Sequence, residues 1–347
     1  MALLRVTSPH AHHPMNKTGW VMLQVLFALL PGIATITWFF GWGTIVNIVW
    51  ASVLAVSLEA IVLKLRKRSL RFYLGDFSAL VTAWLLAIAL PPYAPWWLVT
   101  VGIAFAILIA KHLYGGMGYN PFNPAMVGYV VLLISFPLQM TTWAEPRGVA
   151  GADLPNFLQA LQLNFGLVDR TVLDGITGAT ALDLFAQNKT LQVSELWLNP
   201  IYGAIGGHGQ EWINAAFLLG GLVLLARRIF TWHAPVCFLL ALTLAAAAGY
   251  DSGSAASGGS PLMHLFTGAT MLGAFFIVTD PVTSAVSNRG RMIYGACIGV
   301  LVYSIRHWGN YPDAVAFSVL LMNFAAPLID NYTQPRTYGH KPVEKSS

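Results

Sequence analysis

Ten apolar stretches alternate with polar segments along this chain, and most of these segments are short. A helix needs about 20 apolar residues to cross the hydrocarbon core of a membrane, so the pattern predicts an all-α polytopic membrane protein with about ten transmembrane helices. The short stretches near 77–91 and 264–279 predict broken or tilted helices. The predicted helices cover 20–40, 44–63, 77–91, 96–110, 123–140, 211–228, 234–250, 264–279, 292–305 and 313–330.

Charged residues are scarce, and basic residues outnumber acidic ones. Charged residues make up 10% of the chain, against about 25% in soluble domains, and the mean hydropathy is +0.63. This composition excludes a soluble protein and makes membrane lipid the surrounding partner. The net charge of +5 lies in short loops, so it indicates membrane topology and not nucleic-acid binding. The two isolated cysteines cannot ligate an iron–sulfur cluster, and we predict no metal site and no catalytic residue.

The distribution of lysine and arginine predicts the orientation of the chain. With a cytoplasmic N-terminus, 15 of the 19 basic residues fall on the cytoplasmic side, as the positive-inside rule requires. No cleaved signal peptide is expected at the N-terminus, and the first helix should anchor the chain in a bacterial inner membrane. The predicted parts are a cytoplasmic tail 1–19, a five-helix repeat 20–140, a periplasmic loop 141–210, a second five-helix repeat 211–330 and a cytoplasmic tail 331–347.

The two five-helix units carry a weak internal repeat. Residues 124–134 align without gaps on 312–322 at an offset of 188, and Phe77 matches Phe266 at an offset of 189. Because five helices separate equivalent points, the two repeats should be inverted relative to each other. Transporters with such repeats bind their substrates near helix breaks, which here are the Gly- and Pro-rich segments 111–126, 279–290 and 306–315.

The tetrapeptide Thr-Gly-Ala-Thr occurs twice, at 177–180 and at 267–270. The second copy begins a predicted helix, where its threonines should bond their own helix and its small residues should allow close packing. The first copy lies in the polar loop, which we expect to be flexible, and the last threonine should be accessible to a modifying enzyme. From these residues alone, both a modified threonine and an ordinary loop stay open.

Several motifs in matching order resemble one family, that of the RnfD and NqrB membrane subunits. "DGITGAT", from Asp174 to Thr180, is similar to the flavinylation motif of this family, although Thr177 stands where many members have serine. The resemblance runs from about residue 8 to 330. It is closer to RnfD than to NqrB, which carries a longer N-terminal extension. The other matching blocks are "SPH", "KHLYGGMGYNPFNPAM", "FFIVTDPVTS" and "GNYPDAVAFSVLLMNFAAPLID".

The resemblance implies an FMN joined through its phosphate to Thr180, placed there by a flavin transferase that uses FAD. The remaining motif residues are Asp174, Thr177, Gly178 and Ala179. It also implies a non-covalent riboflavin within the membrane region. For the riboflavin, polar residues at the helix breaks are candidate contacts: Lys111, Asn120, Asn123 and Asp280.

The resemblance further implies the flavin-carrying membrane subunit of an Rnf complex, which exchanges electrons between NADH and ferredoxin and couples this to Na⁺ or H⁺ movement. The implied partners are a ferredoxin-like iron–sulfur subunit, a second covalent-FMN subunit and small membrane subunits, and NADH should bind a partner. The chain is therefore expected to be part of a translocase rather than a complete enzyme. Two alternatives stay open: an NqrB-type subunit of a Na⁺-pumping NADH:quinone reductase, and an inverted-repeat solute channel without a redox role.

Two charged residues have specific expectations. The loop 141–210 carries more acids than bases, so Arg170 is a candidate neighbour of the FMN phosphate. Glu59 interrupts an apolar stretch about one turn before the basic segment 64–71. Since an acid within a membrane is costly unless it is paired, we expect its carboxylate to reach or pair with that basic segment.

Overall fold

The computed structural model describes residues 17–149, 153–169, 171–188, 190–251, 254, 257–309, 311 and 314–333. Most of the predicted tails 1–19 and 331–347 lies outside the described residues, and so does Arg170. The described chain is almost entirely helical, with one two-stranded antiparallel sheet.

The described residues of the first half form seven α-helices, and the fifth continues as a π-helix, Phe105–His112. They are α1 (Lys17–Phe40), α2 (Gly43–Leu65), α3 (Leu70–Leu74), α4 (Ser78–Ala89), α5 (Trp96–Ala104), α6 (Pro124–Ser135) and α7 (Pro137–Thr141). The middle segment that follows contains β1 (Trp143–Ala144), α8 (Phe157–Phe165), α9 (Thr171–Asp174), β2 (Thr177–Gly178), α10 (Ala181–Gln187) and α11 (Val193–Leu196).

The second half contains the remaining helices of the described chain. It contains α12 (Gln210–Ala226), α13 (His233–Gly249), α14 (Pro261–Phe266), α15 (Thr270–Leu272), a π-helix (Gly273–Ile277), α16 (Asn288–Trp308) and α17 (Val315–Thr333). Corresponding helices begin at nearly the offset of the sequence repeat: α2 begins at Gly43 and α13 at His233, and α6 begins at Pro124 and α17 at Val315. The inversion of the two halves stays a prediction.

Every predicted apolar stretch contains a helix, but two stretches are interrupted. Stretch 264–279 breaks because Thr267 is extended and Gly268 takes a left-handed φ of 67°, a conformation that glycine adopts without strain. Stretch 123–140 breaks at Phe136, which precedes Pro137, because a residue before proline is disfavoured in the α conformation.

The surfaces of the long helices are apolar. Among the described residues, three helices are long and apolar enough to cross a membrane: Thr18–Phe40, Gly43–Leu65 and Val315–Thr333. They present large apolar side chains outward, such as Phe27, which is 62% exposed, and Phe324, which is 79% exposed. Such surfaces are compatible with lipid rather than water, so the protein is embedded in a membrane.

The two halves meet where α1 packs along α12. Small residues allow this close approach: a Cβ placed on Gly220 would lie 2.1 Å from the carbonyl oxygen of Ala28, and one on Gly32 would overlap the ring of Phe217. Close backbone contact through glycine is a common way for helices to associate in membranes.

The described part of the middle segment is folded, which differs from the flexible loop that we expected. A small apolar core connects α10 and α11 to α14, built from Leu182, Phe185, Leu196, Tyr202 and Met263, among others. Helix α8 packs against α2, where the Asn164 side chain donates to Asn47 Oδ1 at 2.9 Å. The segment is therefore held in a defined position against the helices.

Candidate functional site

Thr180, the last threonine of the first Thr-Gly-Ala-Thr copy, is the N-cap of α10 and forms a capping box with Asp183. Its hydroxyl Oγ1 donates to Asp183 Oδ2 at 2.6 Å, and its backbone N–H donates to the same oxygen at 3.0 Å. In return, the backbone N–H of Asp183 donates to Thr180 Oγ1 at 3.2 Å. A threonine at the N-cap with an acid three residues later favours this arrangement, which fixes the position of the Thr180 hydroxyl.

The residues that precede Thr180 are held by the small sheet. Gly178 pairs with Trp143 across β1 and β2, and a Cβ on Gly178 would lie 2.4 Å from Glu145 Oε1, so glycine allows the carboxylate to lie there. The hydroxyl of Thr177 donates to the carbonyl of Leu173 at 2.9 Å. Among the motif residues, Asp174 and Ala179 are exposed, and Thr177, Gly178 and Thr180 are half-buried. The predicted motif is thus ordered and still open on one side.

An apolar cavity of about 120 Å³ adjoins Thr180, and we call it the Thr180 cavity. Aromatic and aliphatic side chains dominate its lining, including Phe40, Tyr129, Trp143 and Phe217. It lies at the C-terminal ends of α1 and α4 and at the start of α12. Its wall also contains Gly268 and Ala269, so both copies of the tetrapeptide border one cavity.

The second copy of the tetrapeptide has no accessible hydroxyl. Thr267 and Thr270 are both 0% exposed. The hydroxyl of Thr270 donates to the carbonyl of His264 at 2.7 Å, and Thr267 Oγ1 accepts a bond from the N–H of Gly207 at 3.1 Å. The Thr270 bond joins the two parts of the broken helix, as expected of this copy. The Thr267 bond instead connects the break to the middle segment.

A second cavity, of about 250 Å³, lies at the opposite ends of the same helices, and we call it the Lys111 cavity. Its lining includes all four residues proposed from the sequence as polar contacts: Lys111, Asn120, Asn123 and Asp280. Asn123 caps α6 by accepting from the N–H groups of Ala125 and Met126, and its amide donates to Asp280 Oδ2 at 3.4 Å. Two helix breaks that are 157 residues apart in sequence therefore meet here.

The two cavities are separated by a thin layer of side chains. Leu85 lines the Lys111 cavity, and Ile88, less than one turn later in α4, lines the Thr180 cavity. Phe276 and Ile277 are neighbours in sequence and line the Lys111 cavity and the Thr180 cavity respectively. The cavities thus lie back to back between the two halves of the chain.

A buried ionic cluster borders the Lys111 cavity. Lys111 Nζ donates to Glu59 Oε1 at 2.6 Å and to Ser78 Oγ at 2.7 Å, and His112 Nε2 lies 3.2 Å from the same glutamate oxygen. Glu59 and Lys111 are each 2% exposed. The expectation that Glu59 pairs with the basic segment 64–71 is therefore wrong. Lys111, on the neighbouring π-helix, is closer to the Glu59 carboxylate and is buried to the same extent as Glu59.

Comparison with known proteins identifies the family. The model of the NQR2, RnfD, RnfE family matches residues 5–339. The chain belongs to the NQR2, RnfD, RnfE family. The resemblance drawn from the sequence motifs is thereby confirmed.

Relatives of the RnfD type are similar over their whole length. A protein of Cellvibrio japonicus (strain Ueda107), named as the D subunit of an ion-translocating oxidoreductase complex, is 56% identical over 352 residues, which cover 100% of this chain and 98% of the relative. A protein of the same name from Ectopseudomonas mendocina (strain ymp) is 57% identical over 342 residues, covering 98% of this chain and 97% of the relative. One from Salmonella paratyphi A (strain ATCC 9150 / SARB42) is 53% identical over 351 residues, covering 98% and 99%.

The sequence predicts Thr180 as the candidate residue in this RnfD-like chain, but it did not predict the groups that surround it. Asp183 is one of the acids of loop 141–210 and received no role from the sequence, although the pattern Thr-x-x-Asp before apolar residues is a capping-box signal. The aromatic lining of the Thr180 cavity comes from residues far apart in sequence, and no local pattern connects them. In the described part of the loop, His208 lies beside the motif, lining a small cleft with Gly178 and Ala179.

Proposed function

We propose that this chain is the flavin-carrying membrane subunit of an Rnf-type ion-translocating NADH:ferredoxin oxidoreductase, with an FMN attached covalently to Thr180. The observation that carries the proposal is the position of the Thr180 hydroxyl, which is fixed by Asp183, half-buried and at the edge of an apolar cavity. The names of the relatives agree with an ion-translocating oxidoreductase complex. Electron transfer through the chain would be coupled to Na⁺ or H⁺ movement.

The residues around Thr180 suit a tethered FMN. A hydroxyl is the group that can form a phosphoester, and the exposed residues Asp174 and Ala179 leave a transferase room to approach it. The faces of a flat aromatic ring pack well in a slot with aromatic walls, and Phe40, Tyr129 and Trp143 supply one beside the hydroxyl. When bound, FMN supplies one- and two-electron chemistry, while the protein holds it in place and excludes water.

The Lys111 cavity suits the second flavin, a non-covalent riboflavin. Asn120 and Asn123 offer amide groups, and Lys111 offers an ammonium group, for the polar edge of the ring. Apolar side chains such as Val25, Leu85 and Phe275 can cover its faces. With one flavin in each cavity, the thin layer between the cavities would separate two redox groups by a short distance.

The orientation follows from the same proposal. The loop 141–210 and Thr180 would face the periplasm of a bacterial inner membrane, and both termini would face the cytoplasm. Partners would then be the ferredoxin-like subunit, the second covalent-FMN subunit and the small membrane subunits of the complex, with a flavin transferase needed for maturation.

Two other functions are less well supported. An NqrB-type subunit of a Na⁺-pumping NADH:quinone reductase fits the family model equally well, but the relatives at 53–57% identity are named for an ion-translocating oxidoreductase complex, the type that contains RnfD. A solute channel requires a continuous path, and the layer that contains Ile88 and Phe276 divides the two cavities.

The test is the intact mass, with peptide mapping, of the chain purified from a host that contains the flavin transferase. We expect a mass increment of one FMN on the peptide that contains Thr180. The fluorescent band on a denaturing gel should disappear in Thr180→Ala and persist in Thr270→Ala, the matched control in the second tetrapeptide. An unmodified wild-type chain, from a host that flavinylates a control protein, would refute the proposal.

A further inference from the structure

We propose that Asp183 is the catalytic base for the attachment of FMN to Thr180. This inference rests on the proposed function, because it concerns how the chain itself takes part in its own modification. It adds a residue outside the sequence motif 174–180, on the first turn of α10, to the machinery of that reaction.

The geometry is that of a nucleophile with its base. The Thr180 hydroxyl points its proton at Asp183 Oδ2 over 2.6 Å, a short distance typical of a hydroxyl that donates to a carboxylate. A threonine hydroxyl is a weak nucleophile unless a neighbouring group accepts its proton. The same carboxylate oxygen also accepts the backbone N–H of Thr180 at 3.0 Å, so it is held in place before a transferase arrives.

A capping box that only stabilises its helix does not need a side-chain hydroxyl that donates to the carboxylate. The described part of the middle segment contains three capping boxes, and in the other two the N-cap residue is Asn156 or Gln192. At Asn156 the side-chain oxygen accepts from Gln159 N, and at Gln192 the backbone N–H donates to Glu195 Oε2 at 3.0 Å. Among these three, only the box at Thr180 directs a side-chain proton at a carboxylate.

The reaction balances without any redox change. Thr180 Oγ forms a bond to the FMN phosphorus of FAD, and the bond from that phosphorus to the bridging oxygen of the diphosphate breaks. AMP leaves with the electron pair of the broken bond. The proton of the Thr180 hydroxyl passes to Asp183 and then to water. FAD is the co-reactant, and the flavin transferase supplies its binding site.

The test is the rate of flavin transfer to the full-length chain, purified unmodified and supplied with a flavin transferase and FAD. We expect Asp183→Asn to slow the initial rate about 100- to 10,000-fold, the usual contribution of a general base. The residual rate of Asp183→Asn should rise about tenfold per pH unit, because hydroxide then replaces the carboxylate. The control Glu195→Gln alters the neighbouring capping box and should leave the rate within about twofold of wild type.

A second variant separates base catalysis from positioning. In Asp183→Ala, added formate should restore the transfer rate in a saturable way, which loss of a helix cap alone would not produce. Slow transfer that formate does not restore would overturn the role as base, and so would an Asp183→Asn rate equal to that of Glu195→Gln. If Asp183→Asn and wild type take up FMN at equal rates, Asp183 is not the base, but the proposed attachment of FMN to Thr180 is retained. If the wild type takes no flavin, the proposed function itself fails.

Discussion

The buried pair of Glu59 and Lys111 allows a quantitative prediction about stability. Both residues are 2% exposed, and each is the nearest opposite charge of the other, at 2.6 Å. Replacing Lys111 by Met removes the ammonium and leaves a carboxylate buried beside only His112. Loss of one partner of a buried pair typically costs about 3–5 kcal/mol, since the remaining charge is uncompensated. We expect Lys111→Met and Glu59→Gln each to lower the free energy of unfolding by about this amount.

The double variant provides the decisive measurement. Once Lys111 is absent, replacing Glu59 by Gln relieves the unpaired charge, so the double variant should be far less destabilised than the sum of the single changes, by about 2 kcal/mol or more. The assay is reversible unfolding in mixed detergent micelles, with Lys64→Met as the control. Lys64 lies in the same helix as Glu59 but is exposed, so its replacement should change the free energy of unfolding by less than about 0.5 kcal/mol. Strict additivity of Glu59→Gln and Lys111→Met would refute the coupling.

Three further predictions concern packing and the two cavities. Gly220→Ala should lower the free energy of unfolding by about 1–3 kcal/mol, because the added methyl group overpacks against Ala28. An unchanged free energy of unfolding would show that α1 can move away. Asn123→Ala should cost about 1 kcal/mol through loss of the α6 cap and should also lower the riboflavin retained after purification; full retention would argue against the Lys111 cavity as its site. Trp143→Ala should leave FMN attached to Thr180 but increase the access of fluorescence quenchers to the ring, and unchanged quenching would place the ring elsewhere.

The helices were predictable because the physical signal is strong and local. Long apolar runs such as 20–40 and 44–63 have few alternatives to a membrane helix, since an unpaired backbone is too costly in lipid. The ends of helices were less predictable. The stretch 123–140 contains Pro137, whose effect on Phe136 could have been read from the sequence, but the continuous apolar run concealed it.

The candidate site was predictable only where it is local. Thr180 follows from a motif of seven adjacent residues, and Asp183 lies three residues further and could have been added from capping rules. Glu59 and Lys111 are 52 residues apart in sequence, and no periodic pattern in the sequence predicts that they pair. The four polar residues at the helix breaks meet in the Lys111 cavity, in agreement with their position in the sequence. The shape and depth of that cavity depend on the packing of the two halves, which the sequence alone does not give.

The back-to-back cavities have an electrical consequence. The Lys111 cavity and the Thr180 cavity lie at opposite ends of α1, α4 and α12, so a line between them follows the direction of these helices. Moving one elementary charge across the whole membrane changes its free energy by about 2.3 kcal/mol at a potential of 100 mV. Moving it part of the way changes the free energy by the corresponding fraction. In the orientation proposed above, with loop 141–210 facing the periplasm, an electron in a membrane that is negative inside would be favoured in the cavity beside Thr180. The redox equilibrium between groups held in the two cavities would therefore vary with voltage, and the distance between the cavities would set how steeply.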